Sequence, residues 1–258
     1  MYEIVFCDVD GTLLSEIDRT LLNSTRESIN KLHDKGIKVA IATGRPHNLC
    51  EELMELGIDT IISANGALVK SGNNVIHKSL LSAETVRDLS EFAQINGHSI
   101  SYFTDVISMN GLGAEDDRVK KALIETLGLT LYPEKIALLL EEIYCICLYA
   151  DESEAQKFID YFPSLRFERF HNYVLNVLEQ TDVSKLTAIK KVLDHYKIDK
   201  ANAIAFGDGG NDIEMIEYVG MGIAMGNSVD KLKMKANFVT KKASEDGIHY
   251  ALSKFGII

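Results

Sequence analysis

The chain has 258 residues, 46% of them apolar and 25% charged, and 27 lysines and arginines against 38 aspartates and glutamates leave a formal charge of −11. At roughly 150 residues per domain this length predicts one or two domains with ample material for a core. An acidic balance argues against nucleic acid or an anionic membrane surface as partner, because both need a basic face to displace counterions. It leaves an anionic small molecule open, since a metal and a few local cations reverse the sign inside one cleft.

No apolar run approaches the roughly 20 residues that span a bilayer. Met1-Tyr2-Glu3 lacks a basic leader, and Asp8 and Asp10 interrupt the apolar segment behind it, so a signal peptide is not expected. The four cysteines, Cys7, Cys50, Cys145 and Cys147, form no C-x-x-C pair and are too few for a disulfide scaffold. The expectation is a cytoplasmic protein. Its oligomeric state is not legible.

From the N terminus the pattern is α/β: an apolar run at Ile4–Cys7, a helix over Thr25–Lys35 and a second run from Ile37 to Ala42. A helix follows from about Pro46 to Leu56, where a proline at the start loses no intrahelical bond, and then a third run at Thr60–Ile62. Strands alternating with helices indicate βαβ units and a parallel sheet. Val69 to Val75 predicts a hairpin with a Gly-Asn turn.

From about Ser82 to Asp182 the order changes. Helices are expected over 83–96, 115–127 and 152–161, and strands over 99–103, 143–149, 165–170 and 173–178. Strands adjacent in sequence point to an antiparallel α+β module. After Asp182 the alternation resumes, with helices over 184–196, 212–218 and 229–235 and strands over 203–206, 222–224 and 238–240. The simplest organisation is one α/β domain, residues 1–81 and 183–258, interrupted by an inserted module, residues 82–182.

In open α/β sheets the site lies beyond the carboxyl ends of the strands. Asp8-Val9-Asp10-Gly11-Thr12 follows the first predicted core strand, Thr43-Gly44-Arg45 the second, Ser63-Ala64-Asn65-Gly66 the third, and Gly207-Asp208-Gly209-Gly210-Asn211-Asp212 the strand after the insert. Carboxylates gathered on one sheet edge repel one another unless a cation sits among them, and an oxygen-only donor set favours Mg²⁺ over zinc or copper. An EF-hand loop is excluded, because its sixth position would be Leu13 or Ile213 rather than glycine. The dinucleotide fingerprint fails too, with Asp212 or Met225 at its last glycine position. Each segment alone reads equally well as a turn; their co-location is the signal. The seven histidines lack ligand spacing.

Asp8-Val9-Asp10-Gly11-Thr12, Thr43-Gly44-Arg45, Lys185 and Gly207-Asp208-Gly209-Gly210-Asn211-Asp212 resemble the four ordered motifs of the haloacid dehalogenase-like superfamily. The inserted module and Asn65-Gly66-Ala67 resemble its Cof-like sugar-phosphatase branch, which carries a large α/β cap. The resemblance spans essentially the whole chain and implies a doubly wound, mostly parallel Rossmann-like core with an α+β cap. It implies Asp8 as nucleophile, Asp10 as general acid and base, Thr43 as a donor to the phosphoryl group, and Lys185 as the cation shared by phosphate and Asp8. Mg²⁺ would be held by Asp8, the backbone carbonyl of Asp10 and Asp208, with Asn211 and Asp212 in support. Gly44, Arg45 and Asn65 would meet substrate.

The implied activity is hydrolysis of small phosphorylated metabolites, sugar phosphates first. A phosphomutase using the same intermediate is the alternative, and a phospho-accepting regulatory domain a remote one. Leu186 departs from the glycine that usually follows the family's lysine. Arg166, Arg169 and His171 on the insert's late strands could reach a substrate, although alternation on a solvated strand explains them as well.

Overall fold

Ile4, Val5 and Phe6 are fully buried and Cys7 nearly so, which a strand manages only when both faces of its sheet are covered. The structure, a computed structural model, describes residues 1–104, 107–135, 142–179 and 183–258. The expected boundary at Asp182 lies outside the described residues. Elements follow in chain order as β1 (Ile4–Cys7), α1 (Asn23–Asp34), β2 (Lys38–Ala42), α2 (Glu51–Met54), β3 (Thr60–Ser63), β4 (Leu68–Ser71) and β5 (Asn74–Lys78). Next come α3 (Ala83–Ile95), β6 (Ile100–Phe103), β7 (Ile107–Met109), α4 (Asp117–Leu127), β8 (Cys145–Tyr149), α5 (Glu152–Tyr161), β9 (Leu165–His171) and β10 (Val174–Glu179). The chain ends with α6 (Lys185–Tyr196), β11 (Ala203–Gly207), α7 (Ile213–Tyr218), β12 (Met221–Ala224), α8 (Asp230–Lys233), β13 (Phe238–Val239) and α9 (Gly247–Lys254).

The chain divides into two units: Met1–Thr43, Cys50–His77 and Ser184–Ile258 in the first, Gly44–Leu49 and Lys78–Val183 in the second. The first is built on an eight-stranded sheet ordered β13-β12-β11-β1-β2-β3-β4-β5, parallel from β13 through β3, with β4 antiparallel to β3. Because side chains alternate along a strand, Val5 and Cys7 join one core layer with Ile29 and Leu32 of α1 and Ala251 and Leu252 of α9. Ile4 and Phe6 join the other, with Ile189 and Val192 of α6 and Met215 and Ile216 of α7. Helices on both faces leave the strand ends as the place where polar groups converge.

The second unit holds a five-stranded sheet ordered β7-β6-β8-β10-β9, in which every described pairing is antiparallel. Ile100, Ile146, Leu148 and Val177 on one face pack against Leu89 of α3 and Phe158 of α5. A reciprocal capping box between Asp151 and Glu154 starts α5.

Three features differ from expectation. The helix expected from Pro46 to Leu56 is a 3-10 turn at His47–Cys50 followed by one turn of α2. Leu49 N bonds Pro46 O at 3.1 Å and Leu56 N bonds Leu53 O at 3.2 Å, i→i+3 contacts that tighten both ends. The short strand β7 has too few residues for an alternation signal, and α9 at the C terminus was not expected. Among the described residues no helix is long and apolar enough to cross a membrane.

Candidate active site

Asp8 is the first residue past β1, and its N–H continues the parallel ladder by donating to Phe206 O at 3.0 Å. Asp208 is the first residue past the neighbouring strand β11. Ser184 caps α6, accepting from Thr187 N at 3.1 Å, and the next residue, Lys185, starts the helix. Two glycines let these segments close on one another. Gly66 has φ +105°, and a β-carbon there would collide with Ser184 O; Gly11 has φ +79°, and a β-carbon would collide with Asp208 Oδ2.

Lys185 is 2% exposed and its Nζ donates to Asp8 Oδ1 at 2.7 Å and to Asp212 Oδ1 at 2.6 Å. Asp212, wholly buried, turns its other oxygen to the N–H groups of Asp208 (3.0 Å) and Gly209 (2.9 Å), so its acceptor capacity is spent on holding the loop and the lysine. Asp208 Oδ1 accepts from Thr12 Oγ1 at 2.9 Å. Asn227 ties three segments together. Its Nδ2 donates to Gly11 O at 2.8 Å and lies 3.4 Å from Asp208 Oδ2, and its Oδ1 accepts from Ala243 N at 3.1 Å.

Carboxylate oxygens of Asp8, Asp208 and Asp212 come within 4.8 Å of one another. Two buried carboxylates and the half-buried Asp208 face one ammonium, a sign imbalance that sets the electrostatics of the site. Burial pushes Asp8 up to about 7, with Asp212 and Asp10 adding to the rise and Lys185 opposing it. Burial and the two neighbouring carboxylates likewise raise Asp208 to about 8, against the Thr12 hydrogen bond and Lys185. For Lys185, burial disfavours the charge, but Asp212 and Asp8 outweigh it and hold the ammonium protonated. A bound cation relieves this imbalance, and the donors it would meet are oxygens only. The residues therefore fit a divalent metal.

The cluster is made by the first unit alone. Asp10 lies beside it, its Oδ1 accepting from Arg19 Nη2 at 3.0 Å. Thr43 is buried past the end of β2; its N–H donates to Ile62 O at 2.8 Å and its carbonyl accepts from Asn65 N at 3.0 Å. Asn65 sits in the left-handed region (φ 52°, ψ 29°), and its Oδ1 accepts from Asn211 Nδ2 at 2.9 Å. Its buried Nδ2 has no hydrogen-bond partner among the described residues. Gly44 and Arg45 fall in the second unit, where the buried Arg45 donates to Leu49 O at 3.3 Å.

Arg166, Arg169 and His171 are engaged within the second unit. Arg166 donates to Val183 O and pairs with Glu168, Arg169 donates to the carbonyls of Ala150, His171 and Asn172, and His171 bonds Glu125. Thr12 and Asn227 were not singled out for roles in the sequence. Asn227 was findable by the rule that located the others, since Met225-Gly226-Asn227 follows β12 directly.

A family model of the haloacid dehalogenase-like hydrolases matches residues 5–252. The chain belongs to this family. YkrA of Bacillus subtilis, provisionally named a phosphatase, is 37% identical over 99% of this chain and 98% of its own. The 5-amino-6-(5-phospho-D-ribitylamino)uracil phosphatase YitU of the same organism is 28% identical, over 98% of this chain and 97% of its own. A solved sugar phosphatase of haloacid dehalogenase subclass IIB is 30% identical, with a TM-score of 0.88 over 99% of this chain and 100% of that one. This haloacid dehalogenase-like hydrolase is thus a phosphatase of the Cof-like kind, and the phosphatase relatives match it across both units.

Proposed function

We propose that this phosphatase is a cytoplasmic, Mg²⁺-dependent phosphomonoesterase that hydrolyses small phosphorylated metabolites, sugar phosphates first, through an aspartyl-phosphate on Asp8. The observation that carries the reading is the bond pattern around Lys185. One buried ammonium holds Asp8 and Asp212, and Lys185 engages only one oxygen of Asp8. Asp8, the backbone carbonyl of Asp10 and Asp208 would hold Mg²⁺; when bound, the ion screens the carboxylates from an anionic substrate and stabilises charge on the phosphoryl oxygens.

In the first step a carboxylate oxygen of Asp8 attacks phosphorus as the ester P–O bond breaks, and Asp10 gives its proton to the departing alkoxide. In the second, Asp10 takes a proton from water as the water oxygen bonds to phosphorus, and the Asp8–phosphorus bond breaks to release phosphate. Lys185 holds Asp8 in place and neutralises charge throughout, and the Thr43 hydroxyl donates to a phosphoryl oxygen. Asn211 and Asp212 support the loop. Gly44, Arg45 and Asn65 belong to the proposal as substrate contacts, Asn65 with the support of its unpartnered buried N–H₂.

The second unit is the proposed source of substrate selection, as a cap. The relatives' names bear on the substrate class: one acts on sugar phosphates, the other on a phosphate carried by a ribityl chain. Both are phosphate esters on polyhydroxylated carbon chains. The four cysteines are free and buried, in keeping with a reducing compartment.

The test is phosphate release from an aryl phosphate and from a panel of sugar and polyol phosphates, with Mg²⁺ and with EDTA, for wild type and Asp8→Asn. The expected result is turnover that needs Mg²⁺ and falls by roughly 10³-fold or more in the variant. Equal activity in the variant, or an isomerised sugar phosphate in place of free phosphate, would count against the reading.

A further inference from the structure

The geometry points to Arg19 as a positioning residue for Asp10, lying outside the four motifs and resting on the proposed role of Asp10 as proton donor to the leaving group. Between Asp10 and Leu21 the chain folds back on itself through isolated bridges, Asp10 with Leu14 and Leu14 with Leu21. The tip closes through Ser15: its N–H donates to Thr20 O at 2.9 Å, its carbonyl accepts from Arg19 N at 2.9 Å, and its hydroxyl accepts from Ile17 N at 3.2 Å. Glu16 pins the loop from outside, accepting from Ser244 N at 3.0 Å and Ser244 Oγ at 2.6 Å. A closed, anchored loop presents its side chains from a fixed place.

At the returning limb Arg19 has φ 60°, a left-handed conformation uncommon for an arginine and most easily adopted by glycine. From there its Nη2 reaches Asp10 Oδ1 at 3.0 Å, the two side chains being 29% and 42% exposed. An ion pair this wet contributes little to stability; what it supplies is orientation. The guanidinium N–H holds one oxygen of the carboxylate, Oδ1, and so restrains the direction of the other. Asp10 has to pass a proton to one oxygen of the leaving group and later take one from water, and that transfer depends on hydrogen-bond alignment. Arg19 supplies the alignment without touching substrate.

A misaligned proton donor harms poor leaving groups most, because a good leaving group departs with little help. Steady-state kinetics of Arg19→Gln and Arg19→Lys on an alkyl phosphate and on p-nitrophenyl phosphate therefore test the role, with Asp8→Asn as control and melting curves to check folding. Arg19→Gln is expected to lower kcat by roughly 10- to 100-fold on the alkyl ester but by less than about threefold on the aryl ester, with KM little changed. Arg19→Lys should recover part of the loss, and it carries the comparison if Arg19→Gln does not fold. An equal fall on both esters, a change confined to KM, or no change would overturn the role. If wild-type turnover does not depend on Asp8, the hydrolase reading fails and this role with it. Asp8-dependent turnover with a flat Arg19 response removes the Arg19 role alone.

Discussion

In the first unit Lys185, its side chain 1% exposed, stands between Asp8 and Asp212 at 2.7 and 2.6 Å; in the second Arg118, its side chain 51% exposed, stands between Asp116 and Glu154 at 3.1 and 3.2 Å. Both are one cation between two carboxylates, and their electrostatics have opposite signs. Asp116 titrates below its ordinary range, since hydrogen bonds from Arg118 outweigh its slight burial. Asp8 rises to about 7, because burial and the neighbouring carboxylates outweigh its lysine. Solvent is the difference. At the surface, water shares the charge and the pair is locally complete. Where water is excluded and Asp208 is added, the cluster carries an imbalance that only a further cation or protons can relieve.

Removing the cation from each trio tests this contrast, and the largest effect belongs to the buried one. Lys185→Met leaves Asp8 and Asp212 buried without a counter-charge, which should cost about 3–5 kcal/mol of stability and abolish turnover. Urea unfolding should show part of the loss recovered at low pH, where the carboxylates protonate. A variant as stable as wild type at neutral pH would erase the contrast.

An intermediate effect is expected from pH. Asp8 and Asp208 titrate in the folded protein at about 7 and about 8, above their ordinary value of 3.8, so the folded state binds these protons more tightly than the unfolded one. Their contribution to stability is complete below about pH 4 and is lost as pH rises through the folded values, a fall of a few kcal/mol. In EDTA the protein should therefore lose stability from about pH 4 to pH 8, and Mg²⁺ should restore it at the alkaline end. Calorimetry near pH 7 should show protons released as Mg²⁺ binds. Stability rising with pH in EDTA would contradict this account.

The smallest effect is expected at the exposed trio. Arg118→Ala should change stability by about 0–1 kcal/mol and leave kcat on an aryl phosphate unchanged. A loss of several kcal/mol there would show that exposure does not separate the two arrangements.

The same contrast explains what could be read from the sequence. The alternation of apolar runs and helices gave the parallel sheet, because strands covered on both faces must be apolar throughout, as Ile4–Cys7 is. Asp8, Asp208 and Asp212 were legible because the carboxyl ends of such strands collect polar groups, and Lys185 because the residues around it open the returning helix. Arg166, Arg169 and His171 were ambiguous, since a strand pattern does not tell a side chain that reaches a ligand from one that binds nearby carbonyls. Arg169 does the second. Thr12, Arg19 and Asn227 act through hydrogen bonds that loops and turns set, and turns leave no periodic trace. The helix expected over 46–56 failed because the i→i+3 bonds at its ends depend on local geometry that a propensity pattern does not encode.

The most direct test of the central claim is chemical trapping of the intermediate. Enzyme quenched in acid during turnover of a sugar phosphate and reduced with borohydride should convert an acyl phosphate to an alcohol, so that residue 8 reads as homoserine by mass spectrometry. With an aryl phosphate, whose leaving group departs with little acid help, Asp10→Asn should increase the yield, since its second step lacks the base. Homoserine at position 8, and its absence when substrate is omitted, is the predicted result. Unmodified Asp8 throughout turnover, or a label on another carboxylate, would contradict the account.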